Sequence, residues 1–395
     1  MQVWDAGNDS SIQFDWKAEA QRYNAPPRPI AAMTENANLT RGLLQRLEDL
    51  KAEDSLIANT KVSSVEMGQD NADGTDLSSW PLLNLSSTLS APSSTPSQIV
   101  TRLLVGADGF NSPVRSFANI PSYGWDYGRH GVVATLKIAA SEREVPYWDE
   151  DNVTTAYQRF LPASGLGGPI AILPLPDNHA SLVWSTTPAT ASQLKLLDPE
   201  SLVQILNAAL RLDQADIKYL LSLPASADSS VLVDELSWRL KHISSLPTTF
   251  APPQIVGVQK GSVASFPLRF RHATSLTSPR IALVGDAAHT IHPLAGQGLN
   301  LGLADAQALA SCIEYSVEHG MDIGNLMSLE RYGTERFGKG IMMAGGVDLL
   351  NSAYQFGGSG EGIVSALIGR ARGFGMQAFD KLGLKSLAMK AAEGM

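Results

Sequence analysis

Four apolar residues stand together at Ile281-Ala-Leu-Val284, bounded by Arg280 before them and Gly285-Asp286 after. An unbroken apolar run of this length predicts a strand buried on both faces. Elsewhere the pattern changes period. Residues from Trp4 to Phe14 alternate, which predicts a hairpin turning at Asn8-Asp9. Glu35 to Leu50 reads as a helix, with Leu39, Leu43, Leu44 and Leu47 on one face. Lys61–Met67, Trp80–Leu85 and Ile99–Val105 read as strands, and the Ser/Pro/Thr-rich stretch 86–97 between the last two as a flexible loop. Gly131 to Thr187 is strand-rich (Val132–Ile138, Ala156–Phe160, Pro169–Leu173, Ser181–Trp184) and predicts one face of a mixed sheet. Pro188–Leu223 is helical and amphipathic, and Val256–Phe266 is a return strand. A helix beginning near Leu299 runs to about Tyr315, a second spans Leu326 to about Tyr354, and the glycines of 357–362 break the chain. The tail from Ile363 to Met395 is amphipathic, with Arg370, Arg372, Lys381, Lys385 and Lys390 set among apolar residues, a pattern open to a membrane surface, a partner or its own domain.

These elements predict an α/β (mixed α+β) fold with C-terminal helices. The expected divisions are a hairpin at 1–30, a segment at 31–125, sheet and helices at 126–270, a segment at 271–325, and terminal helices at 326–395.

Composition narrows the function. Of 395 residues 44% are hydrophobic and 17% charged, which fits a globular chain with a large core. A formal net charge of −9 disfavours phosphate backbones and argues against nucleic acid as a partner. Cys312 is the only cysteine, so no intrachain disulfide forms and a reducing compartment is expected. Asn38-Leu-Thr40 and Asn152-Val-Thr154 are then chance sequons. No apolar run is long enough to span a bilayer, and Met1-Gln-Val-Trp-Asp5 has neither signal- nor transit-peptide character.

The chemistry concentrates in two stretches. In the first, the strand ending at Val284 delivers Gly285-Asp286, a short loop passes Pro293, and Gly296-Gln-Gly298 opens a helix carrying Asn300. Ligands of open α/β sheets bind beyond the carboxyl ends of such strands. Asp286 offers two acceptor oxygens, suited to a pair of sugar or ribityl hydroxyls. The free N–H groups of the following helix favour the negative edge of a ring that is being reduced. The bland alternative is a tight strand–loop–helix turn with an Asp cap. Gly296-x-Gly298-x-x-x-Gly302 imitates a dinucleotide fingerprint, but no strand runs directly into it. His289 and His292 have Pro293 directly after them and no third ligand nearby in sequence, so packed or capping histidines are expected rather than a metal. In the second stretch, Leu103-Leu-Val-Gly-Ala-Asp-Gly-Phe-Asn-Ser-Pro-Val-Arg115, a strand ends at Gly106 and Asp108-Gly109 turns the chain. Ser112 is placed to cap a helix with Pro113 at its first position, and Arg115 is placed to reach a phosphate. The strands at 157–162, 168–176 and 181–184 fit either a floor under a flat aromatic substrate or plain β core, and patterning favours core.

Taken together, Gly106-Ala-Asp-Gly109…Ser112…Arg115 and Gly285-Asp-Ala-Ala-His289…Pro293…Gly296-Gln-Gly298…Asn300 resemble the single-component FAD-dependent aromatic hydroxylases. Met1-Gln-Val-Trp-Asp-Ala6, Gln158-Arg-Phe-Leu-Pro162, Ala171-Ile-Leu-Pro-Leu175, Ser181-Leu-Val-Trp-Ser-Thr186 and Phe266-Pro-Leu268 narrow the resemblance to ubiquinone-biosynthesis monooxygenases, in particular the eukaryotic mitochondrial branch acting at C5 of the quinone ring. The resemblance implies FAD as cofactor, a polyprenylated phenol as substrate, and an incomplete Rossmann-like FAD-binding domain (31–125 and 271–325) interleaved with a mixed β-sheet substrate domain (1–30 and 126–270). It implies that Asp286 binds the ribityl or ribose part and that Gly285, Pro293, Gly296, Gln297, Gly298 and Asn300 surround the flavin. Asp108, Gly109 and Arg115 fall near the pyrophosphate, and Asn36 and Arg41 fall in a cofactor-contacting segment. It further implies a ferredoxin-type electron donor, other ubiquinone-biosynthesis proteins as partners, and a peripheral position on the matrix face of the mitochondrial inner membrane. The flavin supplies the oxygen chemistry, so no side chain is singled out as catalytic.

One departure stands out. Family members open with a strand, a Gly-x-Gly-x-x-Gly turn and a helix for the ADP moiety, and no such turn occurs here: Gly165-Leu-Gly-Gly168 and the glycines of 357–362 have the wrong spacing. The expectation is an N-terminally truncated chain whose βαβ unit and transit peptide lie upstream of Met1 or are missing. Three readings follow: a flavin hydroxylase of a polyprenylated phenol, a FAD-deficient fragment serving only in a complex or as a scaffold, or a flavin enzyme acting on another aromatic substrate.

Overall fold

The computed structural model describes residues 1–6, 10–16, 24, 29–70, 76–88, 96–139, 155–161, 166, 168–223, 229–242, 252–292 and 296–355. The predicted breaker at 357–362, the tail after it, Asn8-Asp9, Pro162 and Pro293 lie outside these residues.

The chain opens with the expected hairpin, β1 (Gln2–Asp5) against β2 (Ser11–Gln13), antiparallel, with Val3 opposite Ile12. Helix α1 (Asn36–Asp49) forms where predicted, but it buries none of its residues, and Leu43 and Leu44 are 56% and 42% exposed. Strands β3 (Thr60–Met67), β4 (Pro81–Ser87) and β5 (Gln98–Val100) build a small antiparallel sheet. The single strand expected over Ile99–Val105 is in fact two: β5 pairs with β4, whereas β6 (Leu104–Gly106) pairs elsewhere. Helix α2 (Pro113–Phe117) begins with the predicted cap, Ser112 Oγ accepting from the Arg115 amide at 2.9 Å with Pro113 next to it.

Strand β7 (Ser122–Ile138) starts nine residues before the predicted Gly131, because glycines at 124, 128 and 131 mask the alternation of Tyr123, Trp125 and Tyr127. Next come β8 (Tyr157–Leu161), β9 (Gly168–Leu175) and β10 (His179–Thr186). The amphipathic stretch after them is three helices, α3 (Pro188–Leu196), α4 (Pro199–Arg211) and α5 (Gln214–Ser222), α3 and α4 each started by a side-chain cap and a proline. Helix α6 (Ser229–His242) had no counterpart in the sequence reading. The predicted return strand splits into β11 (Ile255–Val258) and β12 (Ala264–Ala273), separated by a Lys-Gly-Ser turn that the apolar count ran through. Short β13 (Thr277–Ser278) leads into β14 (Ile281–Leu283), a tight 3-10 turn at Gly285–Ala287 and β15 (His289–Thr290). Helices α7 (Gln297–Glu318) and α8 (Leu326–Gln355) complete the described chain.

The chain divides into two compact units, 1–34 with 128–268 and 350–395, and 35–127 with 269–349, the boundary falling within β7 and β12. In the first unit the strand order is β12-β7-β10-β9-β8-β1-β2, with β11 also on β7. β1 and β8 are parallel, whereas β1–β2, β8–β9, β9–β10, β10–β7 and β11–β7 are antiparallel, so the sheet is mixed as predicted. Register aligns Ile170, Trp184 and Val132 in one row and Ile172, Leu182 and Ala134 in the next. These rows are buried with Leu202, Ile205, Leu206 and Ala209 of α4 in one cluster. The face of 157–184 that packs on helices is therefore core, while Ala171, Val183 and Val133 on the other face are only half-buried.

Two buried polar side chains tie α4 to its neighbours. Arg159 donates through Nη1 to the carbonyls of Ala209 and Leu212, both at 2.9 Å, which satisfies the helix C-terminus. Asn207 mimics a strand: its Nδ2 donates to Ile255 O at 2.8 Å and its Oδ1 accepts from Ile255 N at 3.0 Å. Burial pushes the nearby Arg211 guanidinium down to about 10. Asn207→Ala leaves both backbone groups of Ile255 without their partner, and each such group costs about 1–3 kcal/mol. A loss of roughly 2–4 kcal/mol in urea unfolding is expected, and a value within 0.5 kcal/mol of wild type would sink this account.

Candidate functional site

The second unit holds the motif residues. Its parallel pair, β14 beside β6, sets Ile281 opposite Leu104 and Leu283 opposite Gly106. All three residues of β14 are buried, as the apolar run predicts, and so is Val284. The ladder continues one step, with Val284 N donating to Gly106 O at 3.0 Å. Both predicted turns, Asp108-Gly109 and Gly285-Asp286, therefore leave the carboxyl ends of adjacent parallel strands. The start of β14 is pinned by Arg280, which lies over the Trp80 ring at 4.5 Å and pairs with Asp322 at 2.8 Å.

After Val284 the backbone enters the 3-10 turn with Gly285 at φ +58°, a conformation that favours glycine. Helix α7 presses on this turn through a second glycine: a Cβ on Gly302 would lie 3.2 Å from the Gly285 Cα. Gly302 stands five residues into α7, about 7.5 Å along the axis from its first residue. The turn that carries Asp286 is thus packed against the second turn of α7.

Their chemistry remains open for a ligand. Asp286 is exposed and makes no hydrogen bond among the described residues. The N-cap of α7 is Gly296 in the left-handed region at φ +61°, which supplies no capping side chain. The first amide groups of a 22-residue helix receive no cap from an N-cap side chain, Gly298 has open space where a Cβ would be, and Asn300 is exposed, its Nδ2 donating to Gln297 Oε1 at 3.2 Å. Among the partner motif's residues, Asp108 Oδ2 accepts from the Val114 amide at 3.1 Å, helping to cap α2, and Gly109 has φ +84°. The Arg115 guanidinium donates to Ala287 O and to Phe110 O, each at 2.8 Å. It thereby links the two motifs directly. Asn36 and Arg41 are exposed on α1, and Asn38, not Asn36, bonds the Glu35 carboxylate.

Beneath the turn lies a cluster that sequence reading missed. Asp305, fully buried, accepts from Gly285 N at 3.0 Å, His289 Nε2 at 2.6 Å and Arg336 Nε at 2.7 Å. Burial alone would raise its pKa, but the hydrogen bonds from His289, Arg336 and the Gly285 amide prevail and hold the carboxyl below its ordinary value. Arg336 also reaches Leu301 O at 3.3 Å, and Tyr332 OH donates to Leu283 O at 2.5 Å. His272, whose pKa burial lowers, stacks on His289 at 5.9 Å. His292 is buried edge-on to Tyr127, and burial pushes it down to about 4. The signal that would have revealed Asp305 is periodic: Leu301, Asp305, Leu309, Cys312 and Ser316 form one buried stripe of α7, with a lone carboxylate on it.

With this geometry in place, comparison with known proteins is decisive. A family model described as "FAD binding domain" matches residues 234–337. The mitochondrial ubiquinone biosynthesis monooxygenase COQ6 of Schizosaccharomyces pombe is 38% identical over 95% of this chain and 71% of its own length. The chain belongs to the COQ6 family. The Homo sapiens member is 33% identical over 90% of this chain and 68% of its own. Among solved structures, Klebsiella pneumoniae HpxO complexed with FAD and uric acid matches with a TM-score of 0.58 at 15% identity, covering 99% of this chain and 79% of that one, which supports the mixed α/β fold. FAD is the cofactor, and the exposed Asp286, the left-handed Gly296 and the open surface at Gly298 fit a large planar group with polyol hydroxyls.

The glycine–glycine contact makes a direct prediction. Gly302→Val drives a branched side chain into the Gly285 backbone, and overpacking of this kind costs about 1–3 kcal/mol. The variant is expected to melt lower and to retain less FAD, and unchanged melting together with unchanged flavin content would show that the contact is slack.

Proposed function

We propose that this chain is an FAD-dependent monooxygenase that hydroxylates the aromatic ring of a polyprenylated phenol in ubiquinone biosynthesis. The observation that supports this reading is the packing of the Gly285–Ala287 turn on α7, which sets the exposed Asp286, with no hydrogen bond among the described residues, on the same side of the fold as a helix whose N-cap Gly296 brings no capping side chain. Reduced FAD supplies the oxygen-activating chemistry. The protein's own residues bind and orient it: Asp286 accepts from ribityl or ribose hydroxyls, and Gly285, Gly296, Gln297, Gly298 and Asn300 present backbone amides and small surfaces to the ring, with Pro293 completing the cofactor-binding set. Amide dipoles at the α7 start favour the negative charge that reduction places on the ring. Asp108 and Gly109 flank the pyrophosphate, and Asn36 and Arg41 on α1 face the remaining nucleotide. The half-buried apolar row Ala171, Val183 and Val133 suits the floor of a cavity for an aromatic head with an isoprenoid tail.

The curated relatives are named mitochondrial, and we place this chain there, peripherally on the matrix side of the inner membrane, with a ferredoxin-type donor and other ubiquinone-biosynthesis proteins as partners. Among the described residues no helix is long and apolar enough to cross a membrane. A second reading is a FAD-deficient component of a complex or scaffold.

Purified chain incubated with FAD, a ferredoxin reducing system and a polyprenylated phenol should yield a ring-hydroxylated product by mass spectrometry. A colourless protein that takes up no added flavin would instead establish the second reading. Asp286→Ala is expected to weaken FAD binding by about 1–3 kcal/mol through loss of acceptors for buried hydroxyls. Equal flavin retention in variant and wild type would remove Asp286 from the cofactor site.

A further inference from the structure

Asp286 itself is exposed, yet the backbone on both sides of it is fastened from within. The Gly285 amide donates to Asp305 and the Ala287 carbonyl accepts from Arg115, at 3.0 and 2.8 Å. The two fasteners come from different elements, and each is itself held. Asp305 is fixed by His289 and Arg336, and Arg115 by Phe110 O. We infer that Asp305 and Arg115 are positioning residues for the flavin, freezing the Gly285–Ala287 turn so that the Asp286 carboxylate is already aimed at the cofactor's hydroxyls. The inference rests on the FAD reading above.

The physical argument is pre-organisation. A carboxylate on a free glycine-containing turn loses conformational freedom when it engages a ligand, and that loss subtracts from affinity. A turn already fixed at both ends has less freedom to lose. A purely structural role explains Asp305 less well. It sits on an α7 stripe otherwise built from Leu301, Leu309, Cys312 and Ser316. Replacing a buried charged cluster with well-packed apolar residues is often neutral or stabilising. What an apolar residue cannot do is accept the Gly285 amide. Neither positioning residue needs to touch the cofactor; both act through Asp286.

A double-mutant cycle separates the two roles. FAD affinity is measured by quenching of flavin fluorescence for wild type, Asp305→Asn, Asp286→Ala and the double variant, each first shown to be folded by circular dichroism. Asp305→Asn alone should weaken FAD roughly tenfold or more, whereas in the Asp286→Ala background it should change affinity less than about twofold, since no carboxylate remains to be aimed. Arg115→Gln carries the same cycle if Asp305→Asn does not fold. Wild-type affinity in Asp305→Asn, or single-variant factors that multiply in the double variant, overturns the inference while leaving the flavin reading intact. A wild-type chain that binds no FAD overturns both, and shows itself before any substitution is made.

Discussion

Asp305 has no access to solvent, and three donors from three places in the chain converge on it: the Gly285 amide, the His289 ring and the Arg336 guanidinium. A buried carboxylate left unpaired would be costly, so the helix that carries it, the turn above it and the helix that supplies the arginine are bound to one arrangement. The close approach of Gly285 and Gly302 lets that arrangement form, because any side chain on Gly302 would crowd the turn before the hydrogen bonds closed. Everything proposed for Asp286 depends on this small polar core.

The same logic runs through the rest of the chain at lower stakes. Arg115 joins the Asp108-Gly109 turn to the Gly285–Ala287 turn by spanning two carbonyls, and Asn207 joins α4 to β11 by imitating a strand partner. Each is a polar side chain that satisfies at least one backbone group 48 or more residues distant in sequence, where no regular ladder reaches it. The first unit otherwise relies on area. Its rows of Ile, Trp, Val and Leu lie against α4, and their alternation leaves Ala171, Val183 and Val133 on the opposite face half-buried.

Much of the architecture was legible in the residues. The buried strand Ile281–Leu283, the helices starting near Asn36 and Gln297, the hairpin at Val3 and Ile12 and the Ser112 cap all follow local rules of period and capping. Errors arose where non-local pairing overrode local pattern. Ile99–Val105 reads as one strand because every local cue is extended, yet its halves serve different sheets. Val256–Phe266 reads as one strand because the apolar count runs through the Lys-Gly-Ser turn. The leucines of α1 have a clear helical period, but period reports only which residues share a face, not what covers it.

The candidate site divides along the same line. The linear order of residues determined the cofactor class, because a carboxylate after a buried strand and a glycine-flanked helix start are both encoded within a few positions. The COQ6-family resemblance was likewise carried by short strings such as Gly285-Asp-Ala-Ala-His289. Only the tertiary structure decided that Arg115 joins its own motif to the neighbouring one, that Asp286 makes no hydrogen bond among the described residues, and that Asp305 and Arg336 stand beneath the turn. Those facts depend on groups 20 to 172 residues apart meeting within hydrogen-bond distance, and no local propensity records such a meeting.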